Sequence, residues 1–399
     1  MKGLRYFNDL PLMQKESLFY RKPNMITKST DKKRLAYSLG AVLYMPATRL
    51  DISDLIISNK FKELVTLVIC LEDAVGDLEV EEAERSLIVH MQKVSTAIRD
   101  GRLPEETTPL IFVRVRTAKQ MVDVAERLGE SLNDLVGFVF PKFSSENAES
   151  YFSELRILNE RTGTVLYGMP ILESPHVLYK ERRLDELLLL KGIVDRYSDL
   201  VLNIRIGATD LCGLYGLRRD SETTVYEISI VNELITDIVN IFARDPNSHV
   251  VSGPVWEHFS SNGRILKPQL RQAPFYEQYG SEGLLLRKEL IRKDFDGLIQ
   301  ETLLDKANGL VGKTIIHPSH LLTVQALHVV TKEEYVDALD IVQNATGDKG
   351  VFKSEFQNKM NEIKPHLNWA QKVLIKSDIY GVYNENSTFI DLLSEPVYT

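Results

Sequence analysis

Short runs of β-branched and aromatic residues alternate along the chain with longer stretches in which apolar residues recur at helical spacing. The runs cover residues 41–45, 65–71, 110–115, 136–140, 164–171, 201–206, 249–252 and 314–316. Between them, residues 80–98 carry Val80, Ala83, Leu87, Ile88, Met91 and Val94 at positions that share one side of a helix. Residues 118–128, 148–160, 184–197, 225–243 and 282–307 read the same way. Eight near-continuous hydrophobic strands, each followed by a helical stretch, predict a parallel sheet wound with crossover helices. The architecture expected is α/β, a (β/α)8 TIM barrel. No internal sequence repeat accompanies it, so the repetition is architectural only.

The pattern departs from a minimal barrel in three places. Residues 1–38 precede the first strand as an arm, the barrel takes 39–330, and 331–399 form an extension. Residues 254–283, with Pro254, Pro268, Pro274 and three glycines, read as a long loop after the seventh strand. Structureless loops of more than about 15 residues are uncommon unless functional, which makes this one a lid candidate. Beyond the eighth strand, residues 332–344 and 354–375 read as helices separated by Gly347-Asp348-Lys349-Gly350, with a polar tail after them.

With 44 % hydrophobic and 26 % charged residues in 399, the chain can bury a sizeable core and is neither disordered nor low-complexity. Its net charge of −8 excludes nucleic-acid binding through a general basic field and leaves room for small acidic ligands held by local cations. The charge is uneven. Residues 1–34 hold nine Lys or Arg against Asp9, Glu16 and Asp31, a balance of +6, which leaves −14 on the remainder. Two cysteines, Cys70 and Cys212, make neither a disulfide framework nor a zinc knuckle, and a reducing cytoplasmic setting follows. No apolar run of signal-peptide or membrane-spanning type is present, so a soluble protein that is not exported is expected.

In this fold the chemistry lies at the C-terminal ends of the strands. There the second strand ends in Glu72-Asp73, the third holds Arg114 and Arg116, the fourth ends Pro141-Lys142, and the fifth ends in Glu173. The sixth ends Gly207-Ala208-Thr209-Asp210 and the eighth His317-Pro318. Any one of these acids has a plain reading as a helix cap or a loop ion pair; their joint occurrence points to a site. Carboxylates without matching His or Cys suit a hard ion such as magnesium, and arginines suit a carboxylate or phosphate. Asp51 and Asp54 read as start-of-helix charges. His317 and His320 flank a proline turn that does not suit a zinc pair, and Cys212 reads as a small buried residue.

The ordered motifs Leu43-Tyr44-Met45-Pro46-Ala47-Thr48-Arg49, Leu71-Glu72-Asp73-Ala74-Val75, Val113-Arg114-Val115, Phe140-Pro141-Lys142, Leu172-Glu173, Gly207-Ala208-Thr209-Asp210 and Gly312-Lys313 through His317-Pro318 resemble the HpcH/HpaI aldolase and citrate lyase β-subunit family. The similarity runs from about residue 40 to 345. Within it the chain is most similar to the divergent carbon–carbon bond lyases of the TIM-barrel fold that tend to be encoded with tellurite-resistance genes. The resemblance implies a magnesium-dependent lyase acting beside the carbonyl of a small oxo or hydroxy acid, free or as a coenzyme A or acyl-carrier thioester. It implies Glu173 and Asp210 as metal ligands and Arg114 on the substrate oxygens, with Glu72 and Asp73 holding water around the ion and orienting Arg114. Arg49, Lys142 and His317 would line the mouth. It also implies a homo-oligomer, a trimer or a multiple of one.

Two motifs depart from the family pattern. Its usual Gly-Asn is here Ala47-Thr48, and its usual Asn is Arg116. The first change weakens the case for thioester recognition; the second adds a cation suited to a more anionic or phosphorylated substrate. A nucleotide-binding alternative rests on residues 307–314, Ala-Asn-Gly-Leu-Val-Gly-Lys-Thr, which end like a P-loop but lack its first glycine and precede a strand instead of opening a helix. The other alternative is a barrel that binds a small acid or a protein partner without catalysis, since fold alone does not give function.

Overall fold

Alternate residues of the apolar runs face two different cores, one inside the sheet and one between it and the helices. In the computed structural model, which describes residues 4–259, 293–346 and 350–394, eight parallel strands form a closed barrel. The barrel strands, first to eighth, are Ala41–Pro46, Thr66–Cys70, Leu110–Arg114, Leu135–Phe140, Tyr167–Leu172, Ile204–Ile206, Val251–Trp256 and Lys313–Ile315. The eighth pairs with the first, Val42 opposite Thr314, and shuts the ring. This is the (β/α)8 barrel that the patterning predicts. Outward residues such as Leu67, Ile69, Ile111, Val113 and Phe138 pack under Leu87, Met91, Met121, Val124 and Leu155 of the surrounding helices. Inward residues such as Val42, Val68, Phe112, Val139 and Met169 fill the barrel itself.

Local sequence sets where the helices begin and end. Thr117 accepts a hydrogen bond from the Gln120 N–H at the start of Ala118–Leu128, and Gly163 ends Ala148–Thr162 in the left-handed conformation. Among the described residues no helix is long and apolar enough to cross a membrane.

Three features differ from the sequence expectation. The seventh strand continues through Gly253-Pro254 to Trp256 instead of stopping at Ser252. Its pairing to the eighth strand slips between Gly253 and Trp256, the irregularity expected where proline has no N–H to give the ladder. The stretch expected as a helix from 354 opens instead with a hairpin, Val351–Lys353 against Met360–Glu362, and the helix runs Ile363–Tyr380. Residues 354–362 are mostly polar and lack helical periodicity. The tail is not simply polar, because Val382–Tyr383 forms a strand and Phe389–Ser394 a helix whose Ile390 packs on Ile299 and Leu327. The lid candidate and the start of the helix from 282 lie, from 260 to 292, outside the described residues.

The basic arm is not a free appendage. Its Tyr6, Phe7, Leu18, Phe19, Ile26 and Leu35 are buried with the inward residues at the N-terminal end of the barrel, together with Ile379, Tyr380 and Tyr383 of the extension. Strand Phe19–Arg21 pairs with Val382–Tyr383. The arm's cations meet acids there: Arg21 and Arg34 lie 3.0 and 2.8 Å from Asp378, and Lys28 lies 3.0 Å from Glu105. Arm and extension therefore seal one end of the barrel and leave the other for chemistry.

Candidate active site at the mouth of the barrel

The strand ends surround a cavity of about 480 Å³ bordered by Asp73, Arg114, Glu173, Asp210 and Glu257, with Tyr44, Arg205 and Thr314 deeper on the strands. Arg114 closes the third strand with an inward, buried side chain. Its Nη2 lies 2.7 Å from Glu72 Oε2, 3.0 Å from Asp73 Oδ2 and 3.1 Å from Glu173 Oε1. Burial works against its charge, but the Glu173 and Glu72 carboxylates outweigh it and raise its pKa further. Its Nε has no partner.

Lys142 follows the fourth strand in a left-handed backbone conformation, φ +47°, an uncommon one for a residue with a side chain. That turn aims its N–H at Glu173 Oε1, 2.9 Å away, and its ammonium at Glu72 and at Asp73 Oδ1, 2.9 Å away. The ammonium is also 4.0 Å from Asp210 Oδ1. Asn147 Nδ2 holds the turn by donating to the Lys142 carbonyl at 3.0 Å.

The four carboxylates differ in character. Burial pushes Glu173 up to about 8, with Arg114 pulling it down and the Asp210 charge pushing it up. Glu72 is raised by burial and by its hydrogen bond with Asp73. Burial also acts on Asp73, but hydrogen bonds from Glu72 and Lys142 prevail and hold it at about 2. Gly207 makes room for this arrangement, since a Cβ there would overlap the Glu173 carboxylate. Where Glu72, Asp73, Glu173 and Asp210 meet Arg114 and Lys142, carboxylates outnumber cations by two, which fits a divalent ion. Among the described residues no three His, Cys, Asp or Glu side chains form a ready ligand cluster. The carboxylates that gather around Arg114 and Lys142 are of the kind magnesium takes, one or two at a time with water and substrate oxygens filling its shell, rather than the His and Cys that zinc prefers.

Three residues expected at the mouth are directed elsewhere. Arg116 lies two residues beyond Arg114, but past the strand end its guanidinium turns away. Its Nη1 meets Asp77 at 2.6 Å, and it donates to the Leu71 and Val75 carbonyls at 2.9 and 2.7 Å. It thus ties down the loop that carries Glu72 and Asp73. Arg49 pairs with Asp51, which starts the helix Ile52–Ile57. His317 holds Ser319 Oγ at 2.7 Å and stacks on Phe259 with ring centroids 4.5 Å apart. Arg205, Tyr44, Thr314 and Glu257 were not singled out from the sequence. The alternation Asn203-Ile204-Arg205-Ile206-Gly207 carried the signal for Arg205, a charged residue at an inward position of a buried strand.

The P-loop reading fails on Lys313. It is the first residue of the eighth strand, fully buried, and donates to Glu301 at 2.8 Å and Asp305 at 2.7 Å.

A family profile described as C-C bond lyase of the TIM-barrel fold matches residues 33–382. The chain belongs to this family. As a member of the C-C bond lyases it matches no curated protein. Among solved structures, a citrate lyase from Burkholderia xenovorans has 12 % identity and a TM-score of 0.57, over 86 % of this chain and 92 % of that one. Protein CitE from Mycobacterium tuberculosis, solved with magnesium, acetoacetate and coenzyme A, has 16 % identity and a TM-score of 0.49, over 85 % and 97 %. The Haloferax volcanii malate synthase has 13 % identity and a TM-score of 0.49, over 73 % and 75 %.

Proposed function

We propose that this C-C bond lyase cleaves, or in reverse forms, the bond beside the carbonyl of a small oxo or hydroxy acid, free or as a thioester, with magnesium held by Glu173 and Asp210. The observation that carries the reading is the meeting of Arg114, Glu173 and Asp210 on one cavity at the strand ends. When such a bond breaks, the hydroxyl of the departing carbon gives its proton to solvent and becomes a carbonyl, the electron pair of the bond passes to the other carbonyl oxygen as an enolate, and a solvent proton then adds at the enolate carbon. Bound magnesium supplies Lewis-acid stabilisation of that charge.

The chain's own groups do the rest. Arg114, already charged and buried, offers its guanidinium to the same oxygen without reorganisation. Glu72 and Asp73 anchor Arg114 and thereby fix where the oxygen must sit. Lys142 balances those two acids and, through its N–H, orients the Glu173 carboxylate toward the cavity.

The test is an NMR screen, with magnesium, of short 2-oxo and 3-hydroxy acids, free and as thioesters. Cleavage of at least one is expected, with a rate at least ~100-fold lower in Arg114→Leu, the scale of losing one preorganised donor to a developing oxyanion. No turnover of any compound, with magnesium bound normally, would refute catalysis and leave a binding barrel.

A further inference from the structure

The deepest charged group of the cavity takes no part in that reading. Arg205 points inward from the sixth strand, two residues before Gly207, is 1 % exposed and borders the cavity. Its Nη2 donates to Thr314 Oγ1, while Nε and Nη1 have no partner. Its Cζ lies 5.7 Å from the centre of the Tyr44 ring, and the buried Tyr44 hydroxyl is also unpartnered.

Among the described residues the other buried arginines all have carboxylates: Arg114 as above, Arg183 with Asp237 at 3.0 Å, and Arg219 with Glu301 at 2.6 Å. Arg205 has none among the described residues. Burial lowers its pKa, the neighbouring Tyr44 hydroxyl offsets part of that, and the charge of Arg114 adds to the lowering. A buried guanidinium with free donors and no anion carries a large desolvation cost, and such unsatisfied groups are rare without a functional reason. What is missing is a negative group with two or more acceptor oxygens.

We infer that Arg205, Tyr44 and Thr314 form an anion subsite at the floor of the cavity that takes a second acidic group of the substrate, a carboxylate or a phosphate, while the reacting carbonyl lies above it at Arg114. The substrate is then a short dianion: a dicarboxylic or phosphorylated oxo or hydroxy acid. The term substrate rests on the lyase reading; the anion subsite itself does not require it. The extra cation for an anionic substrate is thus Arg205, in place of the Arg116 expected from the sequence.

The experiment is calorimetric titration of the full chain, with magnesium present, by succinate, acetate and inorganic phosphate. It is run on wild type, Arg205→Met, Arg205→Lys and Glu173→Ala. Succinate binding at least tenfold tighter than acetate, with the difference lost in Arg205→Met and partly kept in Arg205→Lys, supports the subsite with a carboxylate occupant. Phosphate binding that is lost in Arg205→Met, without such a preference for succinate, supports it with a phosphate occupant. Removing an unpaired buried charge for an apolar side chain of similar length also raises the melting temperature of the anion-free protein. Equal anion affinities in wild type, Arg205→Met and Arg205→Lys overturn the subsite. Glu173→Ala separates the two readings: an Arg205-dependent affinity that survives there stands even if the metal assignment fails.

Discussion

Replacing Lys313 by methionine removes the one ammonium from a fully buried charge network. Lys313 bridges Glu301 and Asp305, Arg219 lies 2.6 Å from Glu301, and the Tyr226 hydroxyl donates to Asp305 at 2.7 Å. In Lys313→Met two buried carboxylates are left with one guanidinium, and Asp305 keeps only Tyr226 and whatever proton it can hold. Removing one partner of a buried pair costs about 3–5 kcal/mol. With a denaturant slope at or above ~3 kcal/mol/M, as expected for a chain larger than the usual small domains, the urea midpoint falls by about 1 M. Burial already raises Asp305 to about 6 with Lys313 beside it, and higher once Lys313 is gone, so the deficit shrinks as pH falls toward 6 and Asp305 of the variant takes up a proton. Adding Asp305→Asn recovers at least half of the loss, because Glu301 and Arg219 still neutralise each other. Urea unfolding followed by circular dichroism at pH 7.5 and 5.5 is the assay. A midpoint within about 0.2 M of wild type, or stabilisation of wild type by a nucleoside triphosphate that Lys313→Met abolishes, refutes the argument and returns Lys313 to a phosphate-binding role.

Three further outcomes follow from the same geometry. Gly207→Ala drives a Cβ into Glu173 and lowers magnesium affinity by about 10–100-fold, the range seen when a ligand's support is lost. Calorimetry beside circular dichroism checks that the barrel survives; unchanged affinity contradicts the close approach. Arg116→Ala frees the Leu71 and Val75 carbonyls and costs about 1–3 kcal/mol while leaving anion affinity unchanged. A large drop in anion affinity would instead put Arg116 on the substrate. Between pH about 6.5 and 8, chelated protein loses stability as pH rises, because folded Glu173, near 8, holds a proton that the unfolded carboxyl has already lost. Below that window the sign reverses, since buried His320, near 4, and His328 refuse protons that the unfolded chain accepts. Urea midpoints across pH 5–8 measure both limbs, and a fall above pH 6.5 that persists in Glu173→Gln removes Glu173 as its cause.

All eight barrel strands were legible because both faces of each are buried, which writes them as apolar runs that no surface helix imitates. Gly253-Pro254 hid the end of the seventh strand, since both residues signal a break locally and only the barrel tolerates them. The packing of the arm was not legible for a related reason. Tyr6, Phe7, Leu18 and Phe19 have no periodicity in sequence, and their shared core with Tyr380 and Tyr383 exists only once the two ends of the chain meet.

At the site, strand-end acids were readable from position alone. The directions of the cations were not. Arg114 and Arg116 share the same parity, and the loop beginning past Arg114 decides that one faces the cavity while the other clamps residues 71–77. Arg205 lies in mid-strand, away from the strand ends where this fold places its chemistry, and only its inward parity signals it.

Glu173 and Asp210 are proposed to hold a divalent cation at the mouth of the barrel. Calorimetric titration with magnesium of wild type, Glu173→Ala and Asp210→Ala tests it directly. Saturable binding by wild type is expected, with a loss of at least about 100-fold in each variant, since even outer partners of metal ligands cost about 10–100-fold. Equal binding by all three proteins would contradict it.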